Sequence, residues 1–209
     1  MSYDILNRRQ ETMTTKIYLM RHGQTLFNEL HKIQGASDSP LTAKGIRPAE
    51  IARDHFKNEG ITFDVAYSST SERASDTLEI VYGQDKDYRR LKGLKEGDFG
   101  SFEAESEHLY PPLPYGDFFA GYGGEREVDF RARISQAVKG IADKHPDQTV
   151  LIVSHGAAIA QSFRDAANYE GSISKNLGFT NCSALIFHYQ EGAFEYKDVL
   201  NHDYSGLSD

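Results

Sequence analysis

The sequence has few of the features that mark secreted, metal-binding and membrane proteins. Its one cysteine, Cys182, cannot form an intrachain disulfide, and no cluster of cysteines or close pair of histidines is spaced to hold zinc. A run of about 18 consecutive apolar residues, which a membrane-spanning helix requires, does not occur. We therefore expect a protein of the reducing cytoplasm that needs no metal ion or other cofactor and has no membrane partner.

The sequence also has too few basic residues for a typical nucleic-acid-binding protein. Lysine and arginine together number 23, against 31 aspartates and glutamates, which gives a net charge of −8. Proteins that bind DNA or RNA normally carry the opposite sign. We therefore expect no nucleic-acid partner and look for a small-molecule ligand.

The length of 209 residues fits one domain. Residues 1–12 are polar and aperiodic and have no apolar stretch of signal-peptide length, so we expect them to be a disordered leader. Residues 13–209 are expected to form a single domain.

The apolar pattern predicts strands that alternate with helices. Unbroken apolar runs at 17–20 and 150–153 are typical of central parallel strands covered on both faces, and 65–67 is a shorter strand. Helical spacing predicts helices in four places: from the cap Thr42 to Gly60, from the cap Ser71 to Val81, at about 128–144, and at about 157–167.

The last two strands and one irregular segment complete the predicted fold. Strands at 184–189 and 194–200 are separated by a short turn, which indicates an antiparallel pair. Between 97 and 124, three prolines and four interior glycines interrupt regular periodicity. We therefore expect an α/β fold: a mainly parallel central sheet flanked by helices on both faces, with an antiparallel edge strand and an irregular lid insertion at about 97–124.

Two histidines directly follow the two central strands. His22 comes after the first strand, beside Arg21, and His155 follows the strand at 150–153. Each could be a simple turn residue, but parallel strands open their carboxyl ends onto one crevice, so both can converge on one pocket. Arg73, which opens the helix after a third strand, can join them unless it is only a solvated helix residue.

This set of side chains suits a phosphoryl group. Arginine presents a planar fork of donors that matches phosphate oxygens. Helix starts near Ser71 and Gly156 are expected to add free backbone N–H groups directed at an anion. In an acidic protein, such a small positive pocket suits a compact phosphate better than a polyanionic polymer.

The segment RHGQTLFN at 21–28 is followed in order by related segments at 34–42, 68–77, 94–100 and 153–156. This series resembles the motifs of the histidine phosphatase superfamily, the phosphoglycerate mutase-like proteins, and the resemblance covers residues 16 to about 190. It implies that His22 is the nucleophile that accepts the phosphoryl group, without a metal ion. The residues implied to bind the phosphate or substrate are Arg21, Asn28, Gln34, Gly35, Arg73, His155 and Gly156.

Two protonation states matter for this chemistry. His22 must attack as the neutral imidazole, and the neighbouring guanidinium charges should keep it unprotonated near neutral pH. One carboxyl group must protonate the leaving alkoxide and later deprotonate a water molecule, and we assign that role to Glu96. Another branch of the superfamily places this acid directly after the second histidine, where this chain has Gly156. Asp98 is the local competitor.

The segment from Glu96 to Glu125 bears on the substrate, because it holds seven acidic residues and no lysine or arginine. Such a segment binds a bisphosphorylated acid poorly, so we expect a phosphomonoester hydrolase that acts on a small phosphorylated metabolite. The alternative is a cofactor-dependent phosphoglycerate mutase, if Lys92, Lys95 or Arg126 reaches the pocket. A second alternative is a non-catalytic phosphate or phosphopeptide sensor, although a sensor has no need of a proton donor.

The same segment is rich in aromatic residues. They either cover an organic leaving group or pack the lid onto the sheet. These residues are Phe99, Phe102, Tyr110, Tyr115, Phe118, Phe119 and Tyr122.

Overall fold

The computed structural model describes residues 13–168 and 173–202, so the expected leader at 1–12 lies outside the described residues. Within these ranges the strands are β1 (Thr15–Arg21), β2 (Val65–Ser69), β3 (Arg89–Leu91), β4 (Thr149–Ser154), β5 (Ala184–Gln190) and β6 (Ala193–Leu200). The helices are α1 (Leu26–Glu29), α2 (Ala43–Asn58), α3 (Glu72–Tyr82), α4 (Glu127–Lys144), α5 (Gly156–Ala167) and α6 (Ile173–Leu177).

The strands form one sheet in the order β3-β2-β4-β1-β5-β6. Strands β3, β2, β4 and β1 run parallel to one another, whereas β5 is antiparallel to β1 and β6 is antiparallel to β5. The predicted mainly parallel sheet with an antiparallel edge is therefore confirmed.

Both faces of the central strands are covered. Ile17 and Leu19 of β1 pack in a core with apolar residues of α4 and α5. Tyr18 and Met20 point to the opposite face and pack with residues of α2 and α3. Because successive strand residues face opposite sides, two buried faces require an unbroken apolar run, which is the pattern in the sequence.

The two predicted caps behave differently. Thr42 caps α2 as expected, since its Oγ1 accepts a hydrogen bond from Gly45 N at 3.0 Å. Ser71 occupies the cap position of α3, but its hydroxyl makes no capping bond. Instead, Asp38 Oδ2 accepts from Glu72 N at 2.5 Å, so a carboxylate from a distant loop caps this helix.

The lid between β3 and α4 is built from short 3₁₀ turns at Gly100–Phe102, Glu107–Leu109 and Phe118–Tyr122. Buried Phe99 and Phe119 form a small core with Ile33, and other lid rings pack against it. Within the described part of the chain, no helix has the length and apolar character needed to cross a bilayer.

Candidate active site

Adjacent strands bring the two predicted histidines together. Strands β1 and β4 pair in parallel with Arg21 opposite Ser154, so His22 and His155 leave the sheet side by side. Both side chains are buried, and their ring centroids lie 5.2 Å apart. The expected convergence at the carboxyl edge of the sheet is what the structure shows.

The backbone around His22 fixes the tautomer of its ring. Nδ1 lies 2.7 Å from the carbonyl oxygen of Gly23, and because a carbonyl can only accept, Nδ1 carries the hydrogen. Nε2 therefore holds the lone pair. The Asn181 side chain donates to His22 O at 2.8 Å, and a Cβ on Gly23 would lie 2.5 Å from Gly45 O, so this turn is closely confined.

Arg73 is fully buried and holds the second histidine in a defined state. Its Nε donates to His155 Nδ1 at 3.1 Å, which leaves the ring hydrogen on Nε2 of that histidine. The rest of the guanidinium bonds to the loop at 34–38: Nη1 to Ser37 O at 2.9 Å and Asp38 Oδ1 at 2.8 Å, and Nη2 to Gly35 O at 3.0 Å.

Two buried donors in this pocket have no hydrogen-bond partner within residues 13–168 and 173–202: Nε2 of His155 and Nε of Arg21. Gly156 packs over the same guanidinium, since a Cβ there would lie 3.4 Å from Arg21 Nε. A buried donor left unsatisfied costs about 1–3 kcal/mol. An anionic oxygen bound here would satisfy such donors, as a phosphoryl group does.

Burial and positive charge both act on the nucleophile. Burial, followed by the charges of Arg73 and Arg21, holds the pKa of His22 well below its usual value. The ring is therefore neutral at neutral pH, as expected, although burial contributes more than the guanidinium charges that the sequence suggested. Burial and Arg73 lower the pKa of His155 in the same direction.

Glu96 is buried, and its side chain reaches the N-terminus of α5 from a distant loop. Its Oε1 accepts from Ala158 N at 2.8 Å and from Gly97 N at 3.1 Å, and its Oε2 accepts from Ala157 N at 2.9 Å. Burial raises the pKa of this carboxyl despite these bonds. Asp98, the competitor, is exposed, so the environment suits Glu96 better as a proton donor.

The expectation of free N–H groups at two helix starts is wrong for three of these amides. The Ala157 and Ala158 amides of α5 donate to Glu96, and the first amide of α3, on Glu72, donates to Asp38. The amides attract acceptors that carry or develop negative charge, as helix N-termini do, and the acceptors here are carboxyl groups of the protein.

The other predicted contact residues lie around Arg73 and α1. The Gln34 amide satisfies its neighbours when its nitrogen donates to Thr25 Oγ1 at 2.7 Å and its oxygen accepts from Arg73 Nη1 at 3.2 Å. Gly35 meets Arg73 through its carbonyl. The side-chain oxygen of Asn28 accepts from Thr25 N at 3.2 Å, which forms a capping box for α1.

Lid residues differ in their relation to the pocket. Tyr110 packs edge-on against Phe99, with ring centroids 5.8 Å apart. Burial is the largest cause that raises the pKa of Tyr110, followed by the charges of Tyr115 and Glu96. The lid rings therefore pack mainly on one another. Tyr110 is near enough to the predicted acid, Glu96, for the charge of Glu96 to affect its pKa. Arg126 lies 3.5 Å from Asp117, which partly neutralises that cation.

Three further side chains support the site although sequence reasoning gave them no role. Asp38 pairs with Arg73 and caps α3. Thr77 Oγ1 accepts from Gly23 N at 2.9 Å, and Glu103 binds the loop at 34–38. These partners are distant in sequence. Asp38 and Thr77 fall inside recognised segments and Glu103 does not, but no local pattern identifies the contacts of any of the three.

Known proteins resemble this chain over most of its length. The family model of the histidine phosphatase superfamily (branch 1) matches residues 17–202. A probable phosphoglycerate mutase, GpmB, from Yersinia pestis (strain Pestoides F) is 29% identical over 184 residues, which cover 84% of this chain and 86% of that protein.

Two solved structures are similar over nearly the whole chain. Phosphoglycerate mutase from Bacillus anthracis str. Sterne has a TM-score of 0.77 and 27% identity, covering 90% of this chain and 93% of its own. Phosphoserine phosphatase from Entamoeba histolytica, in complex with 3-phosphoglyceric acid, has a TM-score of 0.75 and 29% identity, covering 92% and 100%.

Proposed function

This chain belongs to the histidine phosphatase superfamily, and we propose that it is a phosphomonoester hydrolase that works through a phosphohistidine on Nε2 of His22, without a metal ion. The fixed tautomer of His22 carries the proposal. Its Nδ1–H donates to Gly23 O at 2.7 Å, so the lone pair is on Nε2. The unpartnered donors of His155 and Arg21 lie in the same pocket and suit phosphoryl oxygens.

In the first step, Nε2 of His22 attacks phosphorus, and the bond between phosphorus and the ester oxygen breaks. The departing alkoxide takes the proton of Glu96, whose raised pKa favours the protonated form. Arg21 and the Nε2–H of His155 stabilise the charge on the transferring oxygens.

In the second step, a water molecule attacks the phosphohistidine, and the Glu96 carboxylate accepts its proton. The bond between nitrogen and phosphorus breaks, inorganic phosphate leaves, and neutral His22 and protonated Glu96 are restored. The amides of Ala157 and Ala158 stabilise the carboxylate between the two steps, because each donates to one of its oxygens.

We favour a hydrolase over a mutase because of the charge of the lid. The segment from Glu96 to Glu125 has seven acidic residues and no basic ones, so it repels a second phosphate and a carboxylate. A specific observation keeps the mutase as a second candidate: Lys95 is close enough for its charge to lower the pKa of His155, after burial, Arg73, His22 and Arg21.

A direct assay separates these functions. Purified protein is treated with chelator and given a panel of phosphomonoesters that includes phosphoserine, 3-phosphoglycerate and 2,3-bisphosphoglycerate. Release of inorganic phosphate from a monoester, lost in His22→Ala, is the expected result. Conversion of 3-phosphoglycerate to its 2-isomer, primed with bisphosphoglycerate and much faster than any hydrolysis, would instead establish the mutase. Binding of phosphate without turnover would favour the sensor.

We also propose a cytoplasmic location, which suits a chain with a single cysteine.

A further inference from the structure

The lid contributes a carboxylate that the two chemical steps do not use. Glu103 accepts five hydrogen bonds: from Gly35 N at 3.0 Å, Ala36 N at 2.8 Å, Ser37 N at 3.0 Å, Ser37 Oγ at 2.5 Å and Phe99 N at 3.0 Å. Three consecutive backbone amides that converge on one carboxylate form an anion-binding concavity. Burial alone would raise the pKa of Glu103, but the bonds from Ser37 and these amides hold it below its usual value.

The opposite side of the same loop holds Arg73. A single peptide group joins the two charges: the N–H of Ala36 donates to Glu103 at 2.8 Å, and the carbonyl of Gly35 accepts from Arg73 Nη2 at 3.0 Å. Ser37 also contacts both charges, but through two peptide groups: its N–H donates to Glu103 at 3.0 Å, and its carbonyl accepts from Arg73 Nη1 at 2.9 Å. Each charge polarises the shared peptide group of Gly35 and Ala36, so that this group binds the other charge more strongly.

The loop has little room to move between these partners. A Cβ on Gly35 would lie 2.0 Å from Gly97 O and 2.6 Å from Glu103 Oε1. Gly97 directly follows the proton donor Glu96. The carboxylate of Glu103 therefore fixes the loop at the point where it meets both Arg73 and the acid segment.

We infer that Glu103 is a positioning residue for phosphoryl transfer, which it serves by holding residues 35–37 in the conformation that keeps Arg73 against Nδ1 of His155. The inference rests on the proposed function, because it assigns a role within that reaction. Glu103 itself touches neither His22 nor His155 through a hydrogen bond among the described residues. Its effect passes through the loop and the guanidinium.

The test compares Glu103→Gln with Glu105→Gln. Glutamine keeps the size of the side chain but puts an NH₂ group where backbone N–H groups need an acceptor, so the loop loses part of its support. Glu105 is an exposed lid carboxylate two positions away and is the matched control. Misplacement of a binding group by about 1 Å costs about 10²-fold in rate. We expect kcat of Glu103→Gln to fall about that much, KM to change less than about threefold, and Glu105→Gln to behave as wild type.

Histidine NMR supplies a readout that a loss of stability alone does not move. In the wild type, Nδ1 of His155 accepts from Arg73, and burial and positive charge lower its pKa. The groups whose charges act on this ring are Arg73, His22, Arg21 and Lys95. Once Glu103→Gln loosens Arg73, the pKa of His155 should rise, and Nδ1 should become partly protonated.

The outcomes are distinct. Wild-type kcat per folded molecule in Glu103→Gln, with unchanged titration of His155, overturns the inference even if the melting temperature falls. A shifted titration in a protein that hydrolyses no phosphomonoester upholds the positioning of Arg73 and refutes the proposed function instead. If Glu103→Gln does not fold, Ser37→Ala removes one of the five bonds and should change kcat and the His155 titration in the same direction by a smaller factor. An unchanged Ser37→Ala then overturns the inference.

Discussion

Replacement of Arg73 by lysine keeps the positive charge and removes the planar fork, so it isolates the geometry of the guanidinium. The side chain has no exposed surface and, besides the Gln34 oxygen, donates to four acceptors: His155 Nδ1, Ser37 O, Asp38 Oδ1 and Gly35 O. A lysine ammonium has one nitrogen and cannot reach acceptors that are spread around the edge of a guanidinium. We expect at least two of the four to lose their partner.

The magnitude follows from those lost bonds. Each buried acceptor left without a donor costs about 1–3 kcal/mol, so the loss is about 2–6 kcal/mol. A domain of this size has a total stability of about 5–15 kcal/mol, so Arg73→Lys should fold but melt roughly 5–20 °C lower. Because the same side chain orients His155, kcat should fall about 10²- to 10³-fold.

Thermal unfolding and steady-state hydrolysis, measured well below the melting temperature of the variant, test both effects. Arg131→Lys is the control, because Arg131 also bonds through its guanidinium, to Glu127 at 3.0 Å and Gln161 at 2.7 Å, but lies on α4 away from the histidines. Its activity should be unchanged. If Arg73→Lys has the wild-type melting temperature and a kcat within about threefold of wild type, the role given to the planar guanidinium is refuted.

Three more predictions follow from the geometry of the site. Glu96→Gln should slow hydrolysis of alkyl phosphates about 10²- to 10⁴-fold and that of p-nitrophenyl phosphate far less, whereas a selective defect in Asp98→Asn would identify the other carboxylate as the acid. Activity should be lost at low pH as His22 is protonated. The apparent pKa of this acid limb of kcat/KM, corrected for the ester's own ionisation near 6, should lie below the ordinary histidine pKa of about 6.5. A limb at or above 6.5 would contradict the lowered pKa. Gly35→Ala should displace its loop and lower kcat, because the new Cβ would lie 2.0 Å from a backbone oxygen, while Gly121→Ala, with nothing within 4 Å, should leave kcat unchanged.

The apolar pattern predicted the centre of the fold because burial on both faces leaves a clear trace in the sequence. The runs that include Ile17 and Val150 became neighbouring central strands as expected. Strand β3 has no such trace: it has three residues, and the exposed Arg89 and Arg90 make up most of it. Its pairing with β2 is a property of the folded chain that local periodicity does not encode.

The chemistry of the site was predictable where residues stand at strand ends, and not where it depends on distant partners. His22 and His155 follow buried strands, so topology alone brings them together. The hydrogen-bond partners of the amides that begin α3 and α5 were not predictable, because Asp38 and Glu96 reach them from loops far along the chain. The importance of Glu103 depends in the same way on a loop folded around it.

The proposed reaction requires that His22 carry the phosphoryl group. The most direct measurement is rapid mixing of wild-type protein with a labelled phosphomonoester, an alkaline quench at short times, and location of the label by mass spectrometry. We expect an acid-labile, base-stable phosphoryl group on His22, formed at least as fast as steady-state turnover and absent from folded His22→Ala. Label on another residue, label retained in His22→Ala, or turnover without any phosphorylated histidine would contradict it.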